Sequence, residues 1–245
     1  MKKVIINIGQ AVNKLLASLG FQIVRYLPTR AGGYILAKET IEAAAKKNQT
    51  ITEYVETLWK EQGIVQQVID RFRGFGALNS STKRICEIGT GTGIFAEAIL
   101  KSYDISQYES YEIAQDWAEW LSQTYQIISH TATGDSLAST ESNSIDLVHA
   151  NGVIVYTPFL VTCKYFLEFT RVTKPGGFAV FDILSEDCFD EERLKAWLSS
   201  PHSYPCILPK EYVKNFFINK GFSYIGEFSR KFGEGRSVYL IFQKR

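Results

Sequence analysis

No apolar run in this chain reaches the length of a membrane-spanning helix, and no block of lysines or arginines stands out along it. The first absence argues against an integral helical anchor. The second, with a formal net charge of only +1, removes the electrostatic footprint that duplex DNA needs, so DNA is not an expected partner. The cysteines Cys86, Cys163, Cys188 and Cys206 lie far apart, with no CxxC pair and no Cys/His ligand spacing. Neither a metal site nor a disulfide framework is expected, and reduced thiols in a cytoplasmic protein are the default. The N-terminus has no uninterrupted apolar region ending in a small-residue cleavage site, which supports the same location. Histidine is scarce as well: His130, His149 and His202 are the whole supply of imidazole for acid–base work.

With 245 residues, 45% of them hydrophobic, the chain can bury one substantial α/β core with an appendage. We read residues 1–80 as an N-terminal helical extension or lid and residues 81–245 as the ligand-binding domain. The segment Glu87-Ile88-Gly89-Thr90-Gly91-Thr92-Gly93 follows the apolar run Arg84-Ile85-Cys86 and precedes Ile94-Phe95-Ala96-Glu97-Ala98-Ile99-Leu100. Strand, glycine turn and helix in that order build a nucleotide-sized cradle, because glycine lets the backbone approach a ligand and the helix start offers free N–H donors. Glu87 at the strand end would repel a phosphate but attract an ammonium or sulfonium. The dinucleotide fingerprint would place its third glycine where Ile94 stands, so that reading fails on spacing.

Downstream partners fit an open, doubly wound sheet. Tyr108 to Ile113 alternates ahead of a helical stretch from Gln115 to Tyr125, which puts Glu112 at a strand's carboxyl end roughly 20 residues past the glycines, where a ribose-gripping acid belongs. A third apolar strand, Gln126 to Thr133, leads into Gly134-Asp135-Ser136-Leu137, and a fourth is expected over Ser144 to Val153. Arg171-Val172-Thr173-Lys174-Pro175-Gly176-Gly177 precedes the apolar Phe178 to Ile183. Towards the C-terminus a helix over Lys210 to Lys220, a turn near Gly233 to Gly235 and a strand over Ser237 to Gln243 are expected.

Taken in order, these segments resemble class I S-adenosylmethionine (SAM) dependent methyltransferases, in their small-molecule, type 11-like branch. Glu87, Gly89, Gly91 and Gly93 match the family's first motif, and the stretch from Arg171 to Gly177 is close to its "RVLKPGG" turn. The resemblance implies a seven-stranded Rossmann-like sheet with an antiparallel last strand, and SAM as cofactor. It implies that Glu87, Gly89, Thr90, Gly91 and Gly93 cradle the cofactor, that Glu112 binds both ribose hydroxyls and Ile113 packs on adenine. Asp135, with Ser136, would accept from the adenine amino group, and Asn151 would lie where the fourth strand leads to the methyl-transfer site.

The acceptor is less legible. Amino-group methyltransferases often carry Asn/Asp-Pro-Pro-aromatic after the fourth strand, whereas this chain has Asn151-Gly152-Val153-Ile154, which favours a small-molecule hydroxyl, on a sugar or a phenol. Alcohol acceptors need a base, for which His149 and His202 are the candidates; His130 reads as structural. Tyr156 and Tyr204 could wall the acceptor, and Tyr54 belongs to a helix opened by the capping box Thr50-Ile51-Thr52-Glu53 that could form a lid. In that helix Trp59 reads first as a core anchor. Residues 4–19 carry Ile5, Ile8, Val12, Leu15, Leu16 and Leu19 at helical spacing. Such a stripe more often packs on its own protein or in a homodimer than on a membrane, given so few neighbouring basic residues. An alternative function is a SAM-binding structural or regulatory protein without transferase activity.

Overall fold

The computed structural model describes residues 35–199 and 206–245. The expected helix over residues 4–19, and the candidates His202 and Tyr204, lie outside them. Three helices precede the sheet: α1 (Ala37–Lys46), α2 (Ile51–Trp59) and α3 (Ile64–Gly74). The capping box forms: the Glu53 amide donates to Thr50 Oγ1 at 3.1 Å and the Thr50 amide donates to Glu53 Oε2 at 2.8 Å. Thr50→Ala deletes the hydroxyl half of this pair and should cost about 1 kcal/mol, a fall of roughly 2–4 °C in Tm followed by circular dichroism. An unchanged Tm would mean that packing alone holds α2.

The sheet elements follow as β1 (Arg84–Ile88), α4 (Ile94–Ser102), β2 (Gln107–Tyr111), α5 (Gln115–Tyr125), β3 (Ile128–Ser129), β4 (Ile145–Ala150), α6 (Phe159–Val172), β5 (Thr173–Ile183), α7 (Glu191–Ser199), α8 (Lys210–Asn219), β6 (Phe222–Phe232) and β7 (Gly235–Lys244). They form one seven-stranded sheet in the order β3-β2-β1-β4-β5-β7-β6. Neighbouring strands pair in parallel except where β7 runs against β5 and β6.

Three strand boundaries differ from the sequence reading. The third strand contracts to Ile128 and Ser129, because Gln126 adopts a left-handed conformation (φ 55°) that ends α5, and the chain leaves the sheet edge after the His130 amide bonds to Ser110 O. The fourth stops at Ala150, since Gly152 turns with φ 68° and Ile154–Tyr156 winds into a 3-10 turn. The fifth begins at Thr173, ahead of the Pro175-Gly176-Gly177 turn expected to precede it.

Side-chain alternation along the strands divides the core in two. Cys86, Ile88, Val148, Phe181, Leu240 and Phe242 face one side, where Phe217 stacks on Phe242 at 4.5 Å between ring centres. Ile85, Leu147, Val180, Tyr239 and Ile241 face the other, under Phe72 of α3 and Val55 of α2. Helices α2 and α3 therefore share a continuous core with the sheet. Glu87 pairs in register with His149, and His149 with Val180, so these polar groups lie on the α3 side, close to the carboxyl ends of their strands. Among the described residues no helix is long and apolar enough to cross a membrane.

Candidate functional site

The turn after β1 depends on glycine for two different reasons. Gly89 has φ 65°, and a Cβ placed there would lie 2.4 Å from Val153 Cγ2, so the loop after β4 closes directly on it. Gly91 has φ 53°, yet a Cβ there would meet nothing nearer than Gly89 O at 3.8 Å; this glycine borders open space. Gly93 precedes α4 and completes the turn. Glu112, one residue past β2, accepts from the Gly91 amide at 2.6 Å and from the Ala114 amide at 2.7 Å, which ties the glycine turn to the second strand. Burial raises the Glu112 pKa, against the backbone amides of Ala114, Gly91 and Ile113 that lower it. Beside it Ile113 is 74% exposed, an apolar face in solvent at the mouth of the cradle. Thr90, by contrast, is buried and its hydroxyl meets Ser110 Oγ at 2.8 Å, so it braces the loop from within.

Beneath this turn lies a chain of buried hydrogen bonds whose polarity can be read from its members. Tyr108 donates to Glu87 Oε2 at 2.8 Å, leaving the phenol oxygen to accept from His149 Nε2 at 3.1 Å. His149 Nδ1 is then the acceptor for Asn151 Nδ2 at 2.9 Å, and the Asn151 amide also reaches Glu87 Oε1 at 3.4 Å. His149 is thus neutral with its proton on Nε2; burial lowers its pKa to about 3. Both ring nitrogens are engaged and the ring has no exposed surface, which corrects the expectation of a catalytic base at His149. It holds Tyr108, and through it Glu87. Glu87 itself is pushed up to about 8, chiefly by burial, with Tyr108 and Asn151 pulling the other way. Asn151 Oδ1, buried and without a partner among the described residues, is left as an acceptor.

The remaining candidates are less directly placed. Asp135 carries an ion pair with Lys164 at 2.6 Å and accepts from Thr133 at 2.9 Å; Ser136 follows it, half-buried. Tyr54 lies under Lys47 Nζ, 5.1 Å from the ring centre, and among the described residues no hydrogen bond or ring contact ties it to the glycine turn. Tyr156 packs on Phe232 at 5.5 Å and feels the charges of Asp182 and Arg230. The expected structural role of His130 holds: it meets Glu109 at 2.9 Å and the Tyr111 ring at 4.9 Å. Tyr108 escaped the sequence reading, for a tyrosine on a buried strand face carries no local signature of the acid it supports.

A methyltransferase-domain family profile matches residues 58–226, more than half of the chain. The chain belongs to this family. The methyltransferase has no match among curated proteins at the sequence level, but its fold has many solved counterparts. Magnesium protoporphyrin IX methyltransferase from Synechocystis PCC 6803, solved with bound S-adenosylhomocysteine (SAH), superposes with a TM-score of 0.59 at 12% identity, covering 96% of this chain and 99% of that one. An O-methyltransferase family protein from Burkholderia thailandensis gives 0.55 at 13%, covering 96% and 83%. A possible histamine N-methyltransferase from Thermotoga maritima gives 0.54 at 17%, covering 79% and 100%. The strand order and antiparallel β7 are those of class I, whose methyl donor is SAM. The residues fit that donor: open space at Gly91, a carboxylate at Glu112 flanked by exposed Ile113, and a buried acid with an unpaired amide oxygen at Glu87 and Asn151. Bound there, SAM supplies an electrophilic methyl group; the chain supplies its positioning.

Proposed function

We propose that this methyltransferase transfers its methyl group to a hydroxyl of a small acceptor, a sugar or a phenolic metabolite. Glu112 would hold the ribose hydroxyls, Ile113 the adenine face, with Asp135 and Ser136 at its amino edge, and Glu87 with Asn151 the cationic end of the donor. The observation that carries the acceptor reading is the exit of β4. Gly152 turns there and donates its amide to Asp182 Oδ1 at 2.7 Å, so the loop is drawn towards a buried carboxylate on β5. A paired-proline loop, rigid and lacking amide donors, is the arrangement suited to an amine; here an acidic group and Tyr156 flank the exit instead. Transfer to an alcohol requires alignment of the nucleophile and removal of one proton, and His149 is not free to take it.

Calorimetry with SAM and SAH, followed by transfer of labelled methyl from SAM to a panel of hydroxyl, amine and carboxylate compounds, tests the reading. Micromolar binding (roughly −8 kcal/mol) and label on a hydroxyl acceptor is the expected result. Label on amines alone would overturn the acceptor assignment. Binding with no label on any compound would favour a SAM-binding protein without transferase activity.

A further inference from the structure

Next to the β4 exit, the sheet buries polar atoms that the donor cradle does not use. Asp182 of β5 and Ser237 and Tyr239 of β7 have essentially no exposure, and Asp182 Oδ2, Ser237 Oγ and Tyr239 Oη make no hydrogen bond of good geometry among the described residues, although Ser237 lies close enough to Asp182, and Arg230 to Tyr239, to lower the acid's and the phenol's pKa against the burial that raises both. Their pairing explains the grouping: Asp182 is in register with Tyr239, and Ser237 with Arg230 of β6. Arg230 feels the charges of Asp182 and Glu61 and lies near Tyr239. Its guanidinium stacks 5.5 Å from the Trp59 ring centre, and its Nε donates to Lys231 O at 3.2 Å. The Oε2 atom of Glu61, just beyond α2, is a further buried atom without a partner. Folded proteins leave few such atoms unpaired, since each costs desolvation without return, and here several surround one arginine.

The chemistry of the set restricts what completes it. An anion would meet Asp182 and Glu61, a cation would meet Arg230, and an apolar group would leave every atom unpaired. A hydroxyl both donates and accepts, so one hydroxyl satisfies carboxylate and guanidinium together, and a neighbouring hydroxyl reaches Ser237 and Tyr239. We infer that Asp182, Arg230, Ser237 and Tyr239 form the acceptor subsite, and that its ligand is uncharged and carries adjacent hydroxyls, as a sugar ring or a catechol does. Trp59 closes the subsite from α2, so its part is not confined to the core anchoring expected from sequence. The assignment rests on the hydroxyl-acceptor reading and narrows it to vicinal hydroxyls.

The test uses the full chain saturated with SAH, titrated with methyl α-D-glucopyranoside, catechol and phenol and followed by saturation-transfer NMR. At least one of the two diols should bind, about tenfold or more tightly than phenol, and whichever binds identifies the source of the hydroxyls. Asp182→Asn and Arg230→Gln should each weaken that diol about tenfold while SAH affinity stays within about twofold of wild type. Ser237→Ala removes one hydroxyl that makes no hydrogen bond of good geometry and leaves both charges in place, so it keeps the test sound if the charged variants do not fold; it should weaken the diol several-fold. Failure of wild type to bind either diol, or full-strength binding by Ser237→Ala, overturns the subsite. Failure to bind SAH would instead overturn the donor reading.

Discussion

Gly91→Arg is expected to abolish SAM binding while leaving the protein folded. The left-handed backbone at this position makes any side chain strained by roughly 1–2 kcal/mol, but the built Cβ meets only Gly89 O at 3.8 Å, so the arginine projects into the cradle and not into the core. There it occupies the donor's place and sets a guanidinium against a cationic ligand. Calorimetry should show affinity lower by more than about a hundredfold, with Tm down by no more than roughly 5 °C. Wild-type affinity in this variant would mean that the donor does not pass over Gly91. Arginine at Gly89 would give a different result, because that position faces Val153 and the substitution should unfold the loop.

Glu87→Gln should have two effects of opposite sign. The carboxyl's pKa is about 8 in the folded protein against an ordinary 4.5, so between those values the folded state holds a proton that the unfolded chain has lost. Stability therefore falls as pH rises through that window and the full cost is present above it. Glutamine has no such dependence. The ligand-free variant should match wild type near pH 4.5 and exceed it by about 4 kcal/mol at pH 8.5, or roughly 10 °C in Tm. SAM affinity should move the other way and drop about a hundredfold, because a buried cation loses its counter-charge. At pH 7 the wild type should release a proton on binding SAM, seen as a calorimetric heat that changes with the buffer's ionisation enthalpy, and the variant should not. A variant that is less stable at high pH, or a binding heat indifferent to buffer, would remove Glu87 from this role.

Much of the turn and its flanking acids is legible because it is local. A glycine turn with positive φ, an acid at a strand end and a capping box leave their marks within a few residues, and Gly91, Glu87, Glu112 and Thr50 stand in the turn, at the strand ends and at the cap where the sequence puts them. What escaped depends on register between distant strands. Tyr108 and His149 meet only because β2, β1 and β4 lie side by side, and Asp182 faces Arg230 only through the β5–β7–β6 pairing. The sequence places His149 and Asn151 on one strand face, yet it cannot say that the imidazole has both nitrogens engaged. Strand ends were misjudged for a related reason: Ile128 and Ser129 pair at an exposed edge where apolar composition says little about length.

The position of β7 also bears on how the chain acquires its structure. It is C-terminal to every other strand, yet it lies between β5 and β6 and hydrogen-bonds to both. On a ribosome β5 must wait with a bare, largely apolar edge until this segment emerges, and β6 has no strand to join before then. Closure of the sheet is thus a late, long-range event, slow by the standards of locally connected folds and open to edge-to-edge association in the interval. Loss of the residues from Gly235 onward would remove Tyr239, Leu240 and Phe242 from both cores at once, leaving a nascent chain that a chaperone would retain.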